Sequence, residues 1–90
     1  LVRMLRNLKG VYQQNNQPAK MLNALNRILL IAPDLTPELL ERARLHDQME
    51  CQRAALDDYQ RYLALEPNNS AALEIGRRIA ELKLLVARLN

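Results

Sequence analysis

The chain reads as five blocks of apolar residues at three- and four-residue spacing, divided by short polar or proline-bearing stretches. Leu5, Leu8 and Tyr12 share one helical face with Arg3, Arg6 and Lys9 off it, which predicts a first helix from about Val2 to Gln14. The Gln and Asn run at 13–17 is the turn that follows. Pro18 opens the second helix, because a missing N–H costs nothing in the first turn. Met21, Leu22, Leu25, Ile28 and Leu29 face inward there, and the helix should stop near Ala32, since the residue before a proline disfavours helical geometry. Thr36-Pro37-Glu38 reads as a hydroxyl cap, a first-turn proline and an acid against the positive helix end. The third helix then runs to about Met49 on Leu39, Leu40, Ala43 and His46. The fourth runs from about Gln52 to Glu66 on Ala55, Leu56, Tyr59, Tyr62 and Leu63. Asn69 or Ser70 should cap a fifth, from about Ala71 to Leu89.

Two nearly identical clauses set the register: Ile28-Leu29-Leu30-Ile31-Ala32-Pro33 and Tyr62-Leu63-Ala64-Leu65-Glu66-Pro67, with prolines 34 residues apart. At that offset Leu5 meets Leu39, Met21 meets Ala55, Leu25 meets Tyr59, Ile28 meets Tyr62 and Ile31 meets Leu65. The period and the paired apolar positions resemble the tetratricopeptide repeat. The resemblance implies an all-α fold: one repeat over residues 1–34, a second over 35–69 and a C-terminal capping or docking helix over 70–90, together a five-helix fragment of a right-handed solenoid. Ala43 and Ala55 sit where paired helices approach most closely, whereas the first repeat puts Lys9 and Met21 there.

Composition narrows the function. The net charge of +3 is unevenly spread, with five basic and one acidic residue in 1–34, four and seven in 35–69, and four and two in 70–90. An acidic middle and only three aromatics, Tyr12, Tyr59 and Tyr62, count against nucleic-acid binding. No apolar run approaches the roughly 20 residues of a membrane span. A single cysteine excludes an internal disulfide framework and fits a reducing cytoplasm. The opening Leu1-Val2-Arg3 suggests a piece of a longer protein.

Catalytic chemistry is sparse. Cys51 and His46 are the sole thiol and imidazole, and Asp47 cannot readily orient His46, because helical neighbours point about 100° apart. One His and one Cys cannot build a zinc site. The expectation is a non-enzyme without cofactor or metal, whose partner is a protein or peptide. Its groove would be lined by Arg3, Arg6, Gln13 and Gln14 of the first helix, by Leu40, Arg44, Asp47 and Gln48 of the third, and by Glu74 and Arg78 of the fifth. Four arginines there suit an acidic segment or a C-terminal carboxylate. The fifth helix carries a seam of Ile75, Ile79, Leu82, Val86 and Leu89 beside a smaller stripe of Ala72, Gly76, Ala80 and Ala87 with Leu73 and Leu84. One stripe is expected on the preceding helices and the other, taken as the seam, against a second surface: another copy in the isolated chain, a homodimer through the last helix, or an N-terminal domain in a longer parent protein.

Three stretches go beyond the generic repeat. Arg3-Met4-Leu5-Arg6-Asn7-Leu8-Lys9-Gly10-Val11-Tyr12, Leu40-Glu41-Arg42-Ala43-Arg44-Leu45 and Glu50-Cys51-Gln52-Arg53-Ala54-Ala55-Leu56-Asp57-Asp58-Tyr59 resemble the tail of bacterial SirB-type proteins. Those join a transglutaminase-like domain to tetratricopeptide helices. The resemblance implies a bacterial cytoplasmic module that supports an N-terminal domain lying outside this sequence.

Overall fold

The computed structural model describes residues 1–89 and consists of five α-helices: α1 (Val2–Gln14), α2 (Pro18–Ile31), α3 (Thr36–Gln48), α4 (Gln52–Leu65) and α5 (Ala72–Arg88). Each packs on the next in chain order, so the molecule is a stack of antiparallel neighbours. The helices expected to end at Ala32, Met49 and Glu66 each stop one residue sooner, and α5 is one residue shorter at both ends.

The 34-residue period is visible in individual backbone bonds. The N–H groups of Asn15, Asn16 and Gln17 bond the carbonyls of Val11, Gln13 and Tyr12, and those of Met49, Glu50 and Cys51 bond Leu45, Asp47 and His46 in the same pattern. Asn16 and Glu50, one period apart, carry the two positive φ angles among the described non-glycine residues, 52° and 61°. This left-handed residue reverses the chain and lets α2 and α4 fold back onto α1 and α3.

The core runs from Leu29 of α2 through Leu39 and Ala43 of α3 and Ala55, Tyr59 and Tyr62 of α4 to Ile75, Ile79 and Leu82 of α5. Ala43 and Ala55 have no exposed surface, as expected of side chains at the closest helix approach. The expected caps differ in detail. Thr36 is the first residue of α3 itself, and its hydroxyl donates to the Glu66 carboxylate at 3.3 Å; Leu35 stands at the cap without a side-chain bond. At α5 neither Asn69 nor Ser70 is the cap: Ala71 holds that position without a side-chain cap bond, and the Asn69 side-chain oxygen accepts the Ala71 N–H at 2.8 Å in the turn before it.

The last helix is oriented opposite to the expectation. Ile75, Ile79 and Leu82, expected to meet a second surface, are buried in this chain's own core; Val86 is half-buried and Leu89 exposed. The other stripe faces solvent, with Leu73 71% and Leu84 65% exposed. The physical reason is volume: α4 presents Tyr59 and Tyr62 beside small Ala55, a relief that branched residues fill better than Ala80 and Ala87 would.

Candidate functional site

Helices α1, α3 and α5 share one face, and long charged side chains bridge the gaps between them. Arg6 reaches Glu38 at 2.6 Å, and Lys9 reaches Glu41 at 2.7 Å and Glu38 at 3.6 Å, tying α1 to α3. Arg78 of α5 grips Asp47 of α3 in a two-pronged pair, Nε to Oδ2 at 2.8 Å and Nη2 to Oδ1 at 2.7 Å, and also meets Glu81 at 3.1 Å. Tyr59 donates to the same Asp47 carboxylate at 3.3 Å. The bond from Arg78 holds the Asp47 carboxyl below its ordinary range, against the opposing effect of burial. Burial, then the Asp47 charge, pushes the Tyr59 phenol up to about 12.

These pairs revise the expected positive groove. Arg6 and Arg78 are held by carboxylates, and Leu40 is partly buried against the core. Arg3 and Arg44 form no ion pair among the described residues, and both are exposed. The repeat explains the case of Arg44. One period on it becomes Arg78, whose partner is Asp47; one period before Asp47 stands Gln13. Repeat 1 thus offers an amide where repeat 2 offers a carboxylate, and the Arg44 guanidinium is left uncompensated.

Arg44 lies between two clefts. One, of about 290 Å³, is lined by Tyr12 and Gln13 of α1, Asn16, Gln17, Pro18 and Met21 of the first turn and α2, and Glu41, Arg44, Leu45 and Gln48 of α3. The other, of about 330 Å³, lies between α3 and α5 and includes Arg44, Asp47, Tyr59, Glu74 and Arg78. Of the expected groove residues, the structure brings Gln13, Arg44 and Gln48 together in the first cleft and Arg44, Asp47, Glu74 and Arg78 in the second. Arg3 and Arg6 line neither.

His46 and Cys51 do not converge. His46 directs Nε2 at Asp58, 3.8 Å away, and burial lowers its pKa. Its Nδ1 is buried with no hydrogen-bond partner among the described residues. The Cys51 thiol is exposed and donates to the Met49 carbonyl at 3.8 Å.

A part-buried ion pair joins α3 to α4. Arg42 of α3 holds Asp58 of α4 by two bonds of 2.8 Å and reaches the Asn26 side chain of α2 at 3.1 Å. The repeat equivalents of Arg42 and Asp58 are Leu8 and Ala24, which line a common cleft between α1 and α2. An apolar pair exchanged for an oppositely charged pair at matched positions was the available signal.

Comparison with known families agrees with this geometry. A family model described as a tetratricopeptide repeat matches residues 8–80. The chain belongs to the tetratricopeptide repeat family. Among relatives of this tetratricopeptide chain, a UPF0162 protein of Pseudomonas aeruginosa is 29% identical over 82 residues, 91% of this chain and 30% of the relative. A UPF0162 protein of Xylella fastidiosa is 35% identical over 68 residues, 76% of this chain and 24% of the relative. The tetratricopeptide chain spans about a quarter to a third of the curated relatives it matches. Among the described residues no helix is long and apolar enough to cross a membrane.

Proposed function

We propose that this chain is a protein-interaction module, not an enzyme, and that the cleft around Arg44 takes an acidic segment or a C-terminal carboxylate. Tetratricopeptide repeats generally serve protein–protein interaction, and the all-helical stack offers a surface rather than a reaction centre. The observation that carries the finer reading is the uncompensated Arg44, flanked by the amides of Gln13 and Gln48 in a cleft of about 290 Å³. That volume falls at the lower edge of the roughly 300–1,000 Å³ typical of small-molecule sites, and suits a side chain or chain end better than a cofactor. A guanidinium can bind a carboxylate by two parallel bonds while amides on either side donate to its remaining lone pairs. The test is a titration of the chain with a short glutamate-rich peptide bearing a free C-terminal carboxylate. Arg44→Ala should weaken binding about tenfold or more, the worth of a charged hydrogen bond, whereas Arg3→Ala, outside the cleft, should leave it nearly unchanged. Equal affinity of Arg44→Ala and the parent would overturn the assignment.

A second reading is that the module supports another part of a longer protein, in the SirB-type context and in a reducing cytoplasm. It is favoured by the fraction of its relatives that the chain spans and by apolar faces left uncovered at both ends of the stack. Homodimerisation through α5 is less well supported. The stripe that remains for it, around Leu73 and Leu84, is edged by Arg77, Lys83 and Arg88 with Glu81 beside them, a mixed border that does not select a second copy.

A further inference from the structure

The outer face of α1 has an apolar stripe that the fold leaves uncovered. Leu1, Met4, Leu8 and Val11, spaced three, four and three residues apart, are between 38% and 75% exposed. Single exposed leucines are ordinary, but a continuous stripe over three turns marks a contact surface.

The repeat itself shows what covers such a face. One period on, the same four positions are Leu35, Glu38, Arg42 and Leu45 of the second repeat; Glu38 turns toward the first repeat, and Arg42, held mainly by Asp58 of its own repeat, also reaches it. Leu35 packs against the core and Leu45 is buried. Glu38 receives Arg6 and Lys9 of α1, and Arg42 reaches Asn26 of α2. The α1 stripe thus continues the established repeat–repeat interface by one step, at a point where no helix pair lies against it.

Charge selects among the occupants. Residues 1–33 hold five basic residues and no acid; Arg6 and Lys9 are taken up by Glu38 and Glu41 of α3, which leaves Arg3, Lys20 and Arg27 without an ion pair among the described residues. Beside Leu8 and Ala24, the cleft between α1 and α2 is edged by Lys20 and Arg27, with the Lys20 ammonium 6.0 Å from the Tyr12 ring centre. Pairing this face with its own copy would bring cations together. We propose that the outer face of α1, with the Lys20 and Arg27 edge of α2, docks an acidic amphipathic helical hairpin of a protein partner, seated as α1 and α2 are seated against α3. The surface is separate from the Arg44 cleft, and either assignment can fail without the other.

The repeat supplies a probe. Residues 35–68 form one acidic period, and grafted ahead of Leu1 of the full chain they preserve the 34-residue register. The expected results are a higher thermal midpoint and severalfold slower peroxide oxidation of Met4 in the grafted chain. The gain in midpoint should be lost in a Met4→Glu, Leu8→Glu version, the protection of Met4 should be lost in a Leu8→Glu, Val11→Glu version, and both gains should shrink as salt rises. The Met4→Glu, Leu8→Glu change in the ungrafted chain should lower the midpoint only modestly, because Met4 is exposed and Leu8 only partly covered, and retained helical circular dichroism shows that the variant folds. Unchanged Met4 oxidation in the graft would overturn the docking surface, and salt-independent gains would overturn its acidic character. Sedimentation of the ungrafted chain with phosphatidylglycerol vesicles, abolished by Met4→Glu, Leu8→Glu, would overturn the proposal in favour of a lipid surface. A dimer of the parent chain abolished by the same change would overturn it in favour of a second copy.

Discussion

The Tyr59 phenol is mostly surrounded by protein and donates to a carboxylate that is itself held ionised by Arg78. An ionised phenolate would be both desolvated and repelled there, which is why the folded chain holds the proton up to about 12 while the unfolded chain releases it near 10. The contribution is therefore fully present below pH 10 and is lost as pH climbs from 10 to 12. Denaturant titrations across that window should show stability falling more steeply for the parent chain than for Tyr59→Phe, and parallel curves would refute the linkage. At this scale the sequence was readable where a residue is apolar and periodic: Leu25, Ile28, Leu39 and Tyr59 all fall inside as their spacing implies. It was less readable where a charge has a distant partner. Arg6 and Arg78 look like free groove cations until Glu38 and Asp47, 32 and 31 residues away, are seen to hold them.

Among elements, the helices follow from period and proline, and the turns were legible in position but not in conformation. Nothing in the letters of Met49-Glu50-Cys51 announces that Glu50 adopts a left-handed φ of 61°, since the residue type least strained there would be glycine. Asn16, at 52°, is of a residue type that tolerates this geometry better, because a short amide side chain is able to hydrogen-bond locally. Glu50→Gly should accordingly stabilise the chain by roughly 0.5–1 kcal/mol, and Asn16→Gly by less, the strain relieved being partly offset by glycine's larger unfolded entropy. Chemical denaturation of the two variants decides the point; destabilisation by Glu50→Gly would show that its side chain contributes something the backbone geometry does not reveal. One period after Glu50 comes Leu84, and there α5 continues as a helix, 17 residues long against 13 for α1 and α3. The repeat therefore ends in the middle of α5.

For the whole molecule, the orientation of that last helix was the least legible feature. Two apolar stripes on one helix give a sequence pattern no means of deciding which is inside; the shape of α4 decides it. Ile79→Glu should now cost roughly 3–5 kcal/mol by leaving an uncompensated charge in the core, while Leu84→Glu should change stability by less than about 0.5 kcal/mol, as surface substitutions usually do. Thermal melts giving the reverse order would mean that α5 is rotated by half a turn. A different property follows from how the layers are joined. From α2 to α5 consecutive helices meet largely through packed carbon, with the Arg42–Asp58 pair added between α3 and α4, whereas α1, α3 and α5 are tied across their common face by the flexible arms of Arg6, Lys9 and Arg78. Such arms lengthen without breaking a core, and their pull fades as ions screen it. The chain is therefore a spring pleated along one side, with its stiffness set by ionic strength. Its Cα radius of gyration of 13.3 Å should grow in concentrated salt at constant helix content, as small-angle scattering would register, so that the width of the Arg44 clefts becomes a mechanical variable governed by the solution around them.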